Sequence, residues 1–289
     1  MDGFLNVLKP PGMTSHDVVS FLRKKFNIKK IGHLGTLDPG AAGVLPICIG
    51  KATKLSQYVV SQSKTYRAEI TFGFSTDSID KFGNITNATP VKIFTIDRIQ
   101  EVLTKFKGDI LQVPPIYSAK KINGKKLYEY AREGKSIEIK ASPICIYDIK
   151  LVSYDIPYRM MFDIKCSKGT YIRALVRDVC DKLNIAGYMS MLIRISVGPF
   201  SLENSYTLED IKTDIYNMIE MSNVLPFPDV YLNNFDYKKI IHGHPIENNY
   251  LDVNSNFVKL YNPDNLFIGI GKVDSSKIYV ERLLVGADD

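Results

Sequence analysis

The residue pattern predicts an α+β protein: a mixed, mainly antiparallel central sheet flanked by helices, followed by a small β-rich domain. Three observations carry this prediction. Residues 64–73 alternate strictly, with Tyr66, Ala68, Ile70 and Phe72 on one face and Arg67, Glu69 and Thr71 on the other. That is the pattern of a half-buried antiparallel strand. Ile172, Leu175, Val176, Val179, Cys180 and Leu183 fall at helical spacing and define a helix with one apolar stripe. Beyond the Pro226-Phe227-Pro228 cluster the composition turns to Asn, Asp and Tyr with short strand-like runs, which marks a boundary between 1–224 and 225–289.

In chain order, a short apolar strand near the start stops at Lys9-Pro10-Pro11-Gly12, a cluster of breakers. Thr14 or Ser15 can cap the next helix, in which Val18, Phe21, Leu22 and Phe26 form the inner face. The polar segment 75–90 reads as a surface loop or hairpin. Ile99, Val102, Leu103 and Phe106 give an amphipathic helix that ends before Gly108. Residues 114–126 hold four lysines around Tyr117, a mixture of cations and aromatics that suits an RNA backbone and its bases, or simply a solvated hairpin. A short helix from Leu127 stops at Gly134. Strands are predicted at 137–139, 144–154 and 160–166, and a buried strand leading into a turn at 191–200. In the final segment, strands are predicted at Phe257–Tyr261, 266–272 and 278–284.

The chain is organised around residues 32–46, which hold four glycines and two prolines. Pro39 and Pro46 argue against a central strand there, and the apolar content argues against a solvated linker. A loop pressed on a core would hold His33 and Asp38 in place, with Gly40 permitting a tight turn after Asp38-Pro39. A turn of this kind is more often only a turn. A phosphate-binding P-loop is excluded, because six residues separate Gly43 from Gly50 and Ala52 follows Lys51. A glycosidase needs two carboxylates, and nothing in the sequence marks a second one beside Asp38. Arg173 lies off the apolar stripe in the first turn of its helix, where a cation opposes the helix dipole. A carboxylate meeting it would explain the placement, and Asp38 is the candidate.

The 289 residues carry a net charge of +6, a modest bias compatible with a polyanionic partner. The four cysteines lack metal-ligand spacing and sit in apolar surroundings, so no disulfide framework or zinc site is expected, and His242-Gly243-His244 lacks matching ligands. No signal or transit peptide and no long apolar span is evident, so the expected location is cytoplasmic, without membrane attachment.

With these pieces in order, the chain resembles the tRNA pseudouridine-55 synthases of the TruB family. The matching motifs are Lys9-Pro10-Pro11-Gly12-Met13-Thr14-Ser15, Gly32-His33-Leu34-Gly35-Thr36-Leu37-Asp38-Pro39 and Lys64-Thr65-Tyr66. Pro114-Pro115-Ile116-Tyr117-Ser118-Ala119-Lys120 and Lys168-Gly169-Thr170-Tyr171-Ile172-Arg173 complete the set. Where that family often carries Leu-Arg-Arg, this chain has Leu192-Ile193-Arg194.

The resemblance implies the pseudouridine synthase fold in 1–224, with an RNA-gripping insertion at about 74–138, and a PUA-like RNA-binding domain in 225–289. It implies that one uridine of the T-arm stem-loop of tRNA is flipped out, detached from N1 and rejoined through C5, with no cofactor and no metal. Asp38 would be the essential carboxylate, acting at the sugar C1′, through a glycal, or by the older route at C6 of the base. Arg173 would pair with it, and Tyr66 would stack on the flipped base. RNA contacts are implied for His33, Lys9, Leu192, Lys64, Tyr117 and Lys120. Alternatives are a guide-RNA-dependent synthase of the dyskerin type, for which the C-terminal segment is short, and an RNA-binding or tRNA-folding chaperone. The lack of a coiled-coil seam points to a monomer.

Overall fold

The computed structural model describes residues 1–135, 137–250, 255–274 and 276–285. Its centre is a nine-stranded sheet. The strands are β1 (Gly3–Lys9), β2 (Ile31–His33), β3 (Ala42–Ile49), β4 (Lys64–Phe72), β5 (Gly108–Gln112), β6 (Ser142–Asp155), β7 (Arg159–Cys166), β8 (Gly187–Val197) and β9 (Phe200–Ser201). They run in the order β1-β3-β8-β4-β7-β6-β5, with β2 on β3 and β9 on β8. Every pairing is antiparallel except β3 with β8, which meet in parallel at Ala42–Ile193 and Gly43–Arg194. This is the mixed, mainly antiparallel sheet that the sequence predicts.

The alternation in β4 governs the main core. Tyr66, Ala68, Ile70 and Phe72 are buried against helices α1 (Ile96–Thr104) and α2 (Ile172–Leu183), together with Val102, Leu175 and Val179. On the opposite face Arg67 stands beside Asp163 in register and makes two 2.8 Å bonds to its carboxylate. A second apolar layer joins β1 and β3 to the helix Ser15–Phe26, capped by Thr14, whose hydroxyl accepts from the Asp17 amide at 3.1 Å.

Two strand expectations need correction. Pro46 lies inside β3, a central strand, opposite Asn6 of β1. Its carbonyl accepts from the Leu34 amide at 2.9 Å, on the side away from β1. In a strand the N–H and C=O of one residue point the same way, so the missing N–H also faces away from β1 and costs that ladder nothing. Residues 137–139 alternate but pair with no strand among the described residues, and they are not a strand. Segment 75–90 is a hairpin (Phe74–Thr76 with Ile85–Ala88), and the basic segment closes a second one, Lys121–Ile122 with Lys125–Lys126, through Asn123 and Gly124. Both turn residues have positive φ, as a two-residue hairpin turn requires.

The C-terminal residues form a five-stranded sheet with its own core of Val230, Ile246, Val258, Leu260, Ile268 and Ile278. Ile270 and Leu284 also join Phe4, Tyr58 and Phe200 in an apolar layer that seats this sheet on the larger one. No helix is long and apolar enough to cross a membrane, among the described residues.

Candidate active site

A cleft of about 870 Å³ opens over the sheet, walled by the turn at 38–41, the hairpin tip at 77–84, residues 117–119, α2 and the middle of β8. Its centre is an ion pair: Arg173 Nε lies 2.9 Å from Asp38 Oδ2. The arginine side chain is 7% exposed and the carboxylate 40%, so the cation forms the buried floor and the anion faces the cleft. The pairing explains why α2 tolerates a cation in its first turn.

Several groups hold the Asp38 turn from outside the cleft. Asp38 C=O accepts from Ala41 N–H at 3.0 Å, closing the turn, and Pro39 C=O accepts from Gly12 N–H at 2.8 Å. Ser15 Oγ accepts from Leu37 N–H at 2.9 Å and donates to Leu37 C=O at 3.3 Å. Lys9 is wholly buried, and its Nζ donates to the carbonyls of Pro10, Met13 and Pro39 at 2.8, 2.6 and 3.2 Å. Burial pushes its pKa down to about 8, against the pull of Asp38. Arg194, fully buried on β8, donates to Val44 C=O at 2.7 Å and Gly35 C=O at 2.9 Å, clamping the two ends of the loop. Gly43 is required beside it, because a Cβ there would lie 2.3 Å from the Arg194 carbonyl oxygen.

Arg173 is itself shared. Nη1 donates to Ser78 C=O at 3.1 Å and Nη2 to Tyr117 C=O at 2.9 Å, and Nη1 lies 3.9 Å from Asp80 Oδ2. Asp80 is the second carboxylate that the sequence did not mark. It hid in a polar hairpin read as surface, and the weak signal available was two aspartates, Asp77 and Asp80, in one short turn.

The structure brings Asp38, Arg173, Tyr117 and Leu192 together around the cleft. Tyr66, His33, Lys9, Lys64 and Lys120 do not line it. Two of the expected RNA contacts are buried lysines. Lys9 is spent on carbonyls inside the protein. Lys64 is 8% exposed and donates to Val60 C=O and Gln62 C=O, both at 3.0 Å, and burial lowers its pKa to about 8. Tyr66 is buried with its phenol against the Arg194 guanidinium, and burial raises its pKa. His33 ends β2, half-buried, with burial lowering its pKa. Lys120 Nζ donates to Ser142 Oγ at 2.5 Å. Beyond Asp80, sequence reasoning missed Arg194 as the loop clamp and Phe82 and Arg132 on the cleft wall.

Comparison with known proteins follows the same lines. Residues 23–172 match the TruB family pseudouridylate synthase N-terminal domain, and residues 228–284 match the pseudouridine synthase II TruB C-terminal domain. The tRNA pseudouridine synthase B of Caldanaerobacter subterraneus subsp. tengcongensis is 54% identical over 98% of this chain and 99% of its own length. That of Clostridium novyi is 44% identical over 99% of this chain and 100% of its own length. Among solved structures, a chain of a Cbf5-Nop10-Gar1 complex shares the fold with a TM-score of 0.76 at 24% identity, covering 99% of this chain and 86% of that one.

Proposed function

The chain belongs to the TruB family of pseudouridylate synthases, and we propose that it isomerises one uridine of tRNA, in the T-arm loop, to pseudouridine. The observation that carries the chemistry is the Asp38–Arg173 pair, an exposed carboxylate fixed by a buried guanidinium at 2.9 Å. The reaction breaks the C1′–N1 bond, turns the detached base and forms C1′–C5, after which the C5 proton is lost and N1 gains one. Asp38 acts at the sugar, and Arg173 pairs with it and aims it. The Ser78 and Tyr117 carbonyls hold the other two nitrogens of the fork, and Asp80 adds a carboxylate 3.9 Å from it.

Leu192 and Ala41, both on the cleft wall, give the base an apolar seat. Tyr66 packs behind that seat in the same apolar cluster. His33, Tyr117 and Lys120 contact the RNA around the extruded nucleotide, whose flipping costs a few kcal/mol that such contacts offset. Residues 1–224 form the catalytic domain with its insertion at about 74–138, and 225–289 bind RNA. The enzyme works as a cytoplasmic monomer.

The test is tritium release from a T-arm stem-loop labelled at uridine C5, with the purified protein alone. Release at the target uridine is expected from the wild type and none from Asp38→Asn, with binding retained by both. Binding without release by the wild type would favour a guide-dependent enzyme or an RNA-folding chaperone. Isomerisation by Asp38→Asn would remove Asp38 from its role.

A further inference from the structure

We propose that Phe82 is a stacking platform for an unpaired base beside the target uridine, an inference that rests on the function proposed above. Phe82 sits on the cleft wall and is 69% exposed, which is unusual for a phenylalanine whose backbone is so firmly held. Its amide donates to Asp80 Oδ1 at 3.0 Å, and Ser78 Oγ donates to the same oxygen at 2.6 Å. The other oxygen of Asp80 faces Arg173, so the ring is built onto the network that fixes Asp38.

The ring also touches the Asp38 turn directly. A Cβ added at Gly40 would lie 2.1 Å from Phe82 Cε2 and 2.8 Å from Cζ. Gly40 does not adopt a positive φ, so the turn itself does not demand glycine. The missing side chain makes room for one edge of the Phe82 ring, while most of the residue stays open to the cleft. Lys81 Nζ lies over the ring, 5.3 Å from its centroid, and sets beside the platform a cation able to meet an RNA backbone.

The occupant follows from the chemistry of the site. Extruding a uridine unstacks its neighbours and leaves an adjacent base without a partner. An aromatic ring at the rim replaces that partner whatever the base, because every base has a π-face. Tyr66 cannot serve, since it is buried and does not line the cleft.

The test compares wild type, Phe82→Ala, Phe82→Leu and Phe82→Tyr on the T-arm stem-loop. Loss of one stacked base corresponds to a rise in KM of about fivefold to a hundredfold. That rise is expected for Ala and Leu, with kcat within about threefold of wild type, and Tyr should restore KM. Leucine keeps apolar contact with Gly40 but has no π-face, so a folded Leu variant with raised KM separates stacking from packing. In parallel, 5-iodouridine is placed in turn at each unpaired loop position outside the target and irradiated in the complex. A cross-link at residue 82 in wild type and Phe82→Tyr supports the inference. A wild-type KM in the folded Ala and Leu variants, or cross-links that never fall on residue 82, would overturn it. A wild-type protein that binds and cross-links through Phe82 but makes no pseudouridine would instead refute the proposed reaction while leaving the platform in place.

Discussion

Replacing Arg173 with lysine keeps the positive charge and removes the fork. In the structure three separate nitrogens meet three diverging acceptors: Nε the Asp38 carboxylate, Nη1 the Ser78 carbonyl and Nη2 the Tyr117 carbonyl, at 2.9, 3.1 and 2.9 Å. One ammonium on a shorter stem can serve one of these positions and forfeits the other two. Hydrogen bonds involving a charged donor contribute about 1.5–3 kcal/mol each, so the variant should lose at least about 3 kcal/mol of stability. For a chain of this size that lowers Tm by roughly 6–12 °C. The effect on catalysis is steeper. With the carboxylate no longer fixed, a displacement of about 1 Å costs on the order of a hundredfold in rate. Arg173→Lys is therefore expected to lose about a hundredfold in kcat on the stem-loop, measured by tritium release below the Tm of the variant. A Lys variant within about threefold of the wild-type kcat would refute the reasoning, because charge alone would then suffice.

Three further outcomes follow from the scaffold. Gly43→Ala should unfold or lower the Tm more than Gly40→Ala, both read by thermal unfolding. The new Cβ at 43 meets the fixed Arg194 backbone at 2.3 Å and a φ of +115°, whereas at 40 it meets a movable Phe82 side chain. Arg194→Met leaves the Val44 and Gly35 carbonyls without their donor, and urea unfolding should show a loss of about 3 kcal/mol. Lys9 has a folded-state pKa of about 8 against 10.5 for the exposed group, so between these values the unfolded chain binds more protons than the native one. Stability should rise with pH across that window by at most about 1.4 kcal/mol per unit from this lysine, and the gain is lost as pH falls through 8. Lys9→Met should flatten the slope of unfolding free energy by one proton relative to wild type between pH 8 and 10. An unchanged slope would show that Lys9 is not buried as a strained cation.

Much of the fold was legible because burial writes itself as a period. The alternation through Tyr66, Ala68, Ile70 and Phe72 is the buried face of β4, and the stripe from Ile172 to Leu183 bounds α2 at both ends. Even part of the site could be read locally: Arg173 breaks the stripe of its helix at an electrostatically poor position, and that misfit pointed to Asp38. The break at Pro46 misled, because its missing N–H points away from the β1 ladder, toward the chain just past the end of β2, and the direction of that face depends on the neighbouring strands.

The sequence by itself determined which residues are apolar together, where helices start and stop, and which motifs accompany Asp38. Tertiary structure alone decided that Lys9 and Lys64 turn inward to carbonyls, that Asp80 faces the guanidinium of Arg173, and that the Phe82 ring lies against Gly40. The reason is physical. Apolar burial is non-directional and depends on spacing along one element, so it is encoded locally. A charge or hydrogen-bonding group is satisfied by whichever partner the folded chain brings within about 3 Å, and that partner lies on a different element, with no periodicity linking the two.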